Sequence, residues 1–415
     1  MPLFGRDSRY TQALLRPPRL QTLADAEDER HASWLELFFD LVFVVAIAQL
    51  AHGVVQDHSL LGFAIFTALF VPVFVAWQGF SFYADRFDTD DVIFRVVIIV
   101  AMLAIAALAV QIAEVTRGQT VGFALAYVAL RVLTIGLNIR AFRHVPEARP
   151  LIGRYIAAFS FSVVLWTASV YLPTPWRFVL WGLGLTVDIG VPVFSGARFV
   201  GQIPIHASHI PERFALFTII VLGESVVAVA LGTGGSDWQL ASAAAAGIGF
   251  LSVACLWWIY FDVGAGLALR PGPLIALRFI YTHLPMLAAL TAVASGVSLL
   301  IGEASAERLS AGARWALGGG ASVYLCCVNV LHSATVQGIV PAIVRARLVA
   351  VGLLVALALA GTSLRPVAYV ALVLTVLVTL VVFETAQNLR LDANARPQQD
   401  KAHRDSVRDT EAKQL

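Results

Sequence analysis

Charge is scarce in this 415-residue sequence: Asp, Glu, Lys and Arg together make up 13% of it, roughly half their share in a soluble globular domain. A chain so poor in charge and 59% hydrophobic cannot cover itself with an ordinary water-facing surface, so its solvent is mostly lipid. Cysteine is thin as well. Cys255, Cys326 and Cys327 lie in apolar runs without metal-ligand spacing, which excludes a disulfide framework and a cysteine-based metal site. The formal net charge is only +2 and no basic run is interleaved with aromatics, so nucleic acid is excluded as a partner. Missing too are an HExxH helix, a phosphate-cradling glycine loop and any nucleophile-base signature, so no catalytic residue or cofactor can be named and enzymatic activity is not expected. The first 33 residues carry Arg6, Arg9, Arg16, Arg19 and Arg30 but no apolar core, so no cleavable signal is expected and the first apolar span directs its own insertion.

What is there is a series of apolar stretches of about 20 residues, the length that crosses a bilayer as a helix. They fall at about 34–56, 59–83, 92–114, 119–142, 151–172, 176–195, 212–232, 238–262, 274–301, 312–332, 342–362 and 366–387. The expected fold is all-α, a polytopic membrane protein of twelve spans. Arginine placement sets the orientation. With the N-terminus inside, the cytoplasmic face receives the arm 1–33, Arg140, Arg143, Arg149, Arg154, Arg198, Arg270, Arg345, Arg347 and the tail, and the other face holds Arg117, Arg177, Arg308, Arg314 and Arg365. Both termini are thus expected in the cytoplasm, at the cell membrane. Residues 388–415 are polar and mixed in charge and read as a disordered tail.

The first span, Trp34 to Gln56, carries Glu36 and Asp40 early, and Gln49 and His52 late. Glu36 and Asp40 are four apart and share a helix face, where two carboxylates repel unless one is protonated or a cation intervenes. Ser33 and Glu36 also have the spacing of a capping box, so Glu36 serves either as a cap or in a site. Asp40 lies a turn deeper, where charge is costly and usually faces a bundle interior or a watery cavity.

The seventh span restates the first. Glu212 begins Glu-Arg-Phe-Ala-Leu-Phe-Thr-Ile-Ile-Val-Leu-Gly-Glu-Ser, so Glu212 matches Glu36 and Ser225 stands opposite Gln49 with Glu224 one residue before. Spans two and eight end alike, in Trp77 to Asp85 and Trp257 to Asp262, and Arg95 parallels Arg278 as Thr186 parallels Thr375. This shared order predicts two six-helix repeats, 34–195 and 212–387, joined by a linker at 196–211. An even number of spans inserts both copies the same way up, with a cavity expected where the halves meet.

Other polar residues lie inside the spans. Asp188 in span six and Glu224 in span seven need protein partners. Arg131, Asn138, His283, Asn329 and His332 are the candidates, with Arg131 best suited to neutralise a carboxylate such as Asp188, Glu224 or Asp40. Arg213 shares a face with Glu224 but lies eleven residues away, too far to pair with it. Asn329 reads as an interhelical hydrogen bonder, whereas His52, His283 and His332 suit either hydrogen bonding or a proton relay. The loop Tyr83-Ala-Asp-Arg-Phe-Asp-Thr-Asp-Asp91 lacks EF-hand spacing, and its Asp88, Asp90 or Asp91 is expected to cap the next helix. No metal site is expected.

The motifs Trp34-Leu-Glu-Leu-Phe-Phe-Asp-Leu-Val-Phe, Tyr83 to Asp91, Glu212 to Glu224 and Trp257-Trp258 together resemble the bacterial low temperature requirement protein A family over most of residues 30–390. The family is named for a growth requirement in the cold, and its motif carboxylates map here onto Glu36, Asp40, Glu212 and Glu224. Ala215 departs from an expected glycine, which bears on close packing of span seven. Phe39-Asp40-Leu-Val-Phe43 is also faintly similar to the pore-helix signature of the endolysosomal potassium channel family, with Leu41 in place of its glycine. The expected function is movement of an ion, proton or small solute through a polar site lined by spans one and seven. Asp40 and Glu224 would be its principal groups, Glu36, Gln49 and Glu212 its neighbours, and Arg131, Asp188 and Arg213 its charge network. The alternative is a non-transporting factor that organises membrane lipid.

Overall fold

The computed structural model describes residues 16–20, 33–88, 91–194, 209–234, 240–264, 269–270, 272–336 and 340–414. Among them, twelve helices are long and apolar enough to cross a membrane. They are α1 (Trp34–Gln56), α2 (Leu60–Arg86), α3 (Val92–Thr116), α4 (Val121–His144), α5 (Arg149–Ser169), α6 (Trp176–Phe194), α7 (His209–Gly234), α8 (Leu240–Gly264), α9 (Pro273–Gly302), α10 (Ala311–His332), α11 (Pro341–Ala360) and α12 (Pro366–Gln414). Extended backbone is confined, among the described residues, to the antiparallel two-residue pair Arg19–Leu20 with Phe87–Asp88 and a bridge between Leu269 and Thr335.

Local chemistry sets several helix starts. Ser33, Ser59 and Asp91 accept hydrogen bonds from Glu36 N, Gly62 N and Phe94 N, the side-chain capping that satisfies orphan first-turn donors. Of the three aspartates that compete to cap α3, Asp91 does so, and it is also gripped by both terminal nitrogens of Arg140 at 2.8 and 2.7 Å. Asp90 lies outside the described residues, as do Arg6, Arg9, Arg30 and Arg198.

Two boundaries and one side chain's placement differ from the sequence expectation. His209, Ile210 and Pro211 form the first turn of α7 rather than the end of a linker, and the rest of 196–208 is not described. The last helix continues to Gln414, across the segment from 388 expected to be a disordered tail; beyond Leu391 its sequence is polar and offers no apolar stripe. Arg347, expected at a headgroup face, is fully buried against Glu384.

The packing has an internal order. Within α1–α6 the closely packed pairs are α1 with α2 and α3, α2 with α4 and α6, α3 with α4, α4 with α5, and α5 with α6. Each of these pairs recurs six helices later, from α7 with α8 and α9 to α11 with α12. The two sets meet where α1 packs on α7 and α9, and α2 on α9 and α7. Helix α9 is the most enclosed, with 83% of its apolar window buried. Glycines let α10 lie close to it: a Cβ on Gly296 would come within 2.7 Å of Leu317 N, and one on Gly320 within 2.9 Å of Ala289 O. Just before Gly320 the backbone of α10 widens into a π-turn, Trp315–Gly319.

Candidate functional site

Three helices bring polar residues to one place, each through a row with helical spacing of four, which stacks side chains on one face. Helix α1 offers Glu36 and Asp40, α2 offers Trp77, Ser81 and Asp85, and α7 offers His209 and Arg213. Arg213 bridges the two carboxylates of α1. Its Nη1 donates to Glu36 Oε2 and its Nη2 to Asp40 Oδ1, both at 2.8 Å, and Nη2 also reaches Ser81 Oγ at 3.2 Å. Trp77 Nε1 donates to the same Asp40 oxygen at 2.7 Å. His209 closes the other end, with Nδ1 3.0 Å from Asp85 Oδ1 and Nε2 3.4 Å from Glu36 Oε2.

The result is a chain of alternating groups, Asp85, His209, Glu36, Arg213, Asp40 and Trp77. All of its ionisable members are at most 5% exposed. Charges so far from water persist only when paired and hydrogen-bonded. Aromatic rings seal the inner end: Trp77 stacks on Phe217 at 4.4 Å and meets Phe214 edge-on at 4.9 Å. A narrow crevice lined by residues of α1, α2 and α3 reaches Glu36 and Arg213.

A second polar centre lies within the first six helices. Asp188 Oδ2 receives Tyr127 OH at 2.7 Å and Ser162 Oγ at 2.9 Å, with Arg131 Nε 3.1 Å away. Arg131 also donates to Tyr127 OH and to Val75 O, and its guanidinium lies 4.9 Å from the Phe159 ring centre. This pair lines a partly open pocket between α2, α4, α5 and α6. The lining runs along α2 from Val75 to Arg86, roughly 16 Å of helix at 1.5 Å per residue. It includes Leu151 and Ile152 at the start of α5 and Pro192 near the end of α6.

A third centre, at the far side of the second half, joins Arg347 to both carboxylate oxygens of Glu384 and to His332 Nδ1 at 2.8 Å. Facing a guanidinium, that ring nitrogen acts as acceptor, so His332 is held as the neutral imidazole. His283 is likewise occupied. Its Nδ1 faces Phe279 O at 2.8 Å and its Nε2 faces Tyr260 OH at 2.9 Å, an arrangement that fixes one neutral tautomer and ties α8 to α9.

The remaining expected residues are dispersed. Glu224 is buried deep in α7 and its Oε2 has no hydrogen-bond partner, whereas Asp40 is held by Arg213 and Trp77. Glu212 and Gln49 are half-buried, outside the hydrogen-bonded chain of Asp40. His52 is exposed and meets Gln56 at 3.3 Å. Asn329 makes no hydrogen bond through either amide atom, unlike Asn138, which donates to Thr134 O. Arg213 belongs to the α1 carboxylates rather than to the Arg131 and Asp188 network. The matched ends of α2 and α8 also differ in surroundings, since Trp77 is fully buried while Trp257 and Trp258 are each 46% exposed.

Sequence reasoning passed over His209 and Glu384. His209 carries a signal in its spacing of four from Arg213, which the placement of the span start at 212 obscured.

A relative, Uncharacterized protein RA0937 of Rhizobium meliloti (strain 1021), is 31% identical over 295 residues, covering 66% of this chain and 70% of its own. The family model described as bacterial low temperature requirement A protein matches residues 31–383, a range that takes in α1 through most of the apolar part of α12 and therefore all three polar centres except Glu384. The chain belongs to the bacterial low temperature requirement A family.

Proposed function

We propose that this member of the family moves a small solute or ion across the cell membrane, with the chain from Asp85 to Asp40 as its proton-handling or cation-handling element. The observation that carries this reading is the position of Arg213, which ties the first helix of the second half to two carboxylates on the first helix of the first half. A purely structural junction is met more cheaply by apolar packing, because buried ion pairs seldom outdo well-packed hydrophobic side chains in stability. Titratable residues held inside a span commonly mark ion pathways and proton relays.

The recurrence of helix contacts supports a duplicated six-helix unit, and transporters built from parallel repeats keep their sites where the repeats meet. Protonation or cation binding at Asp40 or Glu36 weakens the hold of Arg213 and frees α7 to shift against α1. With short connections, both termini then face the cytoplasm, as the arginine distribution expects.

The experiment is reconstitution into proteoliposomes, with flux of protons, alkali cations and organic solutes followed under an imposed pH gradient and potential. Flux that is lost in Asp40→Asn supports the proposal. Absence of any flux under every gradient removes it and favours a non-transporting lipid-organising role.

A further inference from the structure

The pocket between α2, α4, α5 and α6 is out of electrostatic balance. Among its lining residues the ionised groups are two guanidiniums, Arg86 and Arg131, against one carboxylate, Asp188. Asp188 is already engaged by Arg131. Arg86 is 7% exposed and has no carboxylate partner among the described residues. Its Nη2 donates to Tyr155 OH at 3.3 Å, and its guanidinium carbon lies 5.6 and 5.3 Å from the ring centres of Phe82 and Tyr155. Its Nε has no hydrogen-bond partner at all. One turn earlier on the same helix face, the buried hydroxyl of Tyr83 is also without a partner, and it lines the same pocket.

Buried guanidiniums are normally paired, since removing a cation from water costs several kcal/mol, and contact with aromatic rings returns only about 2 kcal/mol. Unused donors with surplus positive charge call for an anion. The walls set its body: Phe82, Phe87, Leu151, Ile152 and Phe159 make most of the lining apolar, the character of a site for a small organic molecule with a few convergent polar groups. A bare inorganic ion would leave those apolar walls without a partner.

We infer that this pocket binds an organic anion, a carboxylate or phosphate ester with an apolar body, whose charged head pairs with Arg86 and accepts a hydrogen bond from Tyr83. Such a ligand comes either from solution or from an acidic membrane lipid. Bidentate pairing through Nε and a terminal nitrogen is the strongest arrangement a guanidinium offers a carboxylate or phosphate.

The test uses the purified full chain in phosphatidylcholine nanodiscs, with thermal unfolding read against ligand concentration and no gradient, so its outcome is separate from that of the transport assay. The probes are 4-phenylbutyrate and short-chain phosphatidic acid, each beside its neutral counterpart, 4-phenylbutyramide and short-chain diacylglycerol. Saturable stabilisation by an anion and not by its neutral counterpart is expected. Affinity should fall tenfold or more in Arg86→Gln, several-fold in Tyr83→Phe, and not at all in Arg345→Gln, whose side chain is exposed. Stabilisation by phenylbutyrate assigns a soluble ligand, and stabilisation by phosphatidic acid alone assigns the bilayer as its source. Equal effects of charged and neutral probes, no saturable effect of either anion, or unchanged affinity in Tyr83→Phe together with Arg86→Lys overturns the inference. The last two variants keep a hydrophobic ring and a cation in place, so they carry the test even if Arg86→Gln does not fold.

Discussion

Arg213 and Asp40 meet across the junction of α7 and α1 with Nη2 and Oδ1 2.8 Å apart, the arginine 1% exposed and the aspartate fully buried. The same guanidinium holds Glu36, so one cation organises both carboxylates of the first helix.

Removing that cation strands two buried carboxylates. Arg213→Gln should therefore cost about 3 to 5 kcal/mol of stability, read as a fall in thermal midpoint in detergent. Adding Asp40→Asn should recover part of the loss, with a coupling of about 1 to 3 kcal/mol. Strict additivity of the two substitutions would show that the residues are neighbours without interacting.

Trp77 supports Asp40 by a single donor. Trp77→Phe keeps an aromatic ring beside Phe217 but deletes the indole N–H and part of a fully buried side chain, so the loss should be about 1.5 to 3 kcal/mol for the hydrogen bond to a charged group with a cavity cost added to it. If transport depends on Asp40, this variant should shift its pH profile. An unchanged profile would mean the indole serves packing alone.

Arg347 and Glu384 form a bidentate pair beside His332, far along the chain from the α1 and α7 junction. Glu384→Gln alone leaves the guanidinium buried without its counter-charge and should destabilise by about 3 kcal/mol or more. Replacing both with Arg347→Met and Glu384→Leu should be near neutral or stabilising, with flux retained. Loss of flux in a stable double variant would give this pair a functional role.

Close helix contact through glycine can be tested by contrast. Gly296→Ala drives a methyl into the backbone of α10 and should cost about 1 to 3 kcal/mol. Gly136→Ala in α4 has nothing within 4 Å of the new carbon and should be neutral or gain up to roughly 1 kcal/mol from reduced chain freedom. Equal thermal midpoints for the two would contradict the tight approach of α9 and α10.

The span pattern was legible because lipid imposes its length rule on every helix, so apolar runs alone locate α1 to α12. The pairing of Asp188 with Arg131 could be anticipated for a related reason: a charge deep in a span has few candidate partners, and these two lie in the same half. Arg213 was harder. Its partners lie on α1, about 175 residues away in sequence, and nothing in helical spacing tells which helix a face meets. Arg347 was misjudged because an arginine two turns into a helix looks the same in sequence whether it snorkels to headgroups or turns inward to Glu384. The pocket at Arg86 was invisible for the same reason, since a void belongs to four helices at once and to no stretch of sequence.

The widened turn at Trp315–Gly319 in α10 has its own implication for the chain's tolerance of change. Deleting one residue from a regular span swings everything downstream by about 100°, carrying inward-facing side chains out to the acyl chains. Within this turn the surplus residue is already accommodated, so loss of one glycine there would tighten the coil to the ordinary pitch while Tyr324 and Leu325 keep facing the interior. Length variation within spans should therefore be best tolerated at this one turn, a local slack that lets α10 shorten without losing its register against α9.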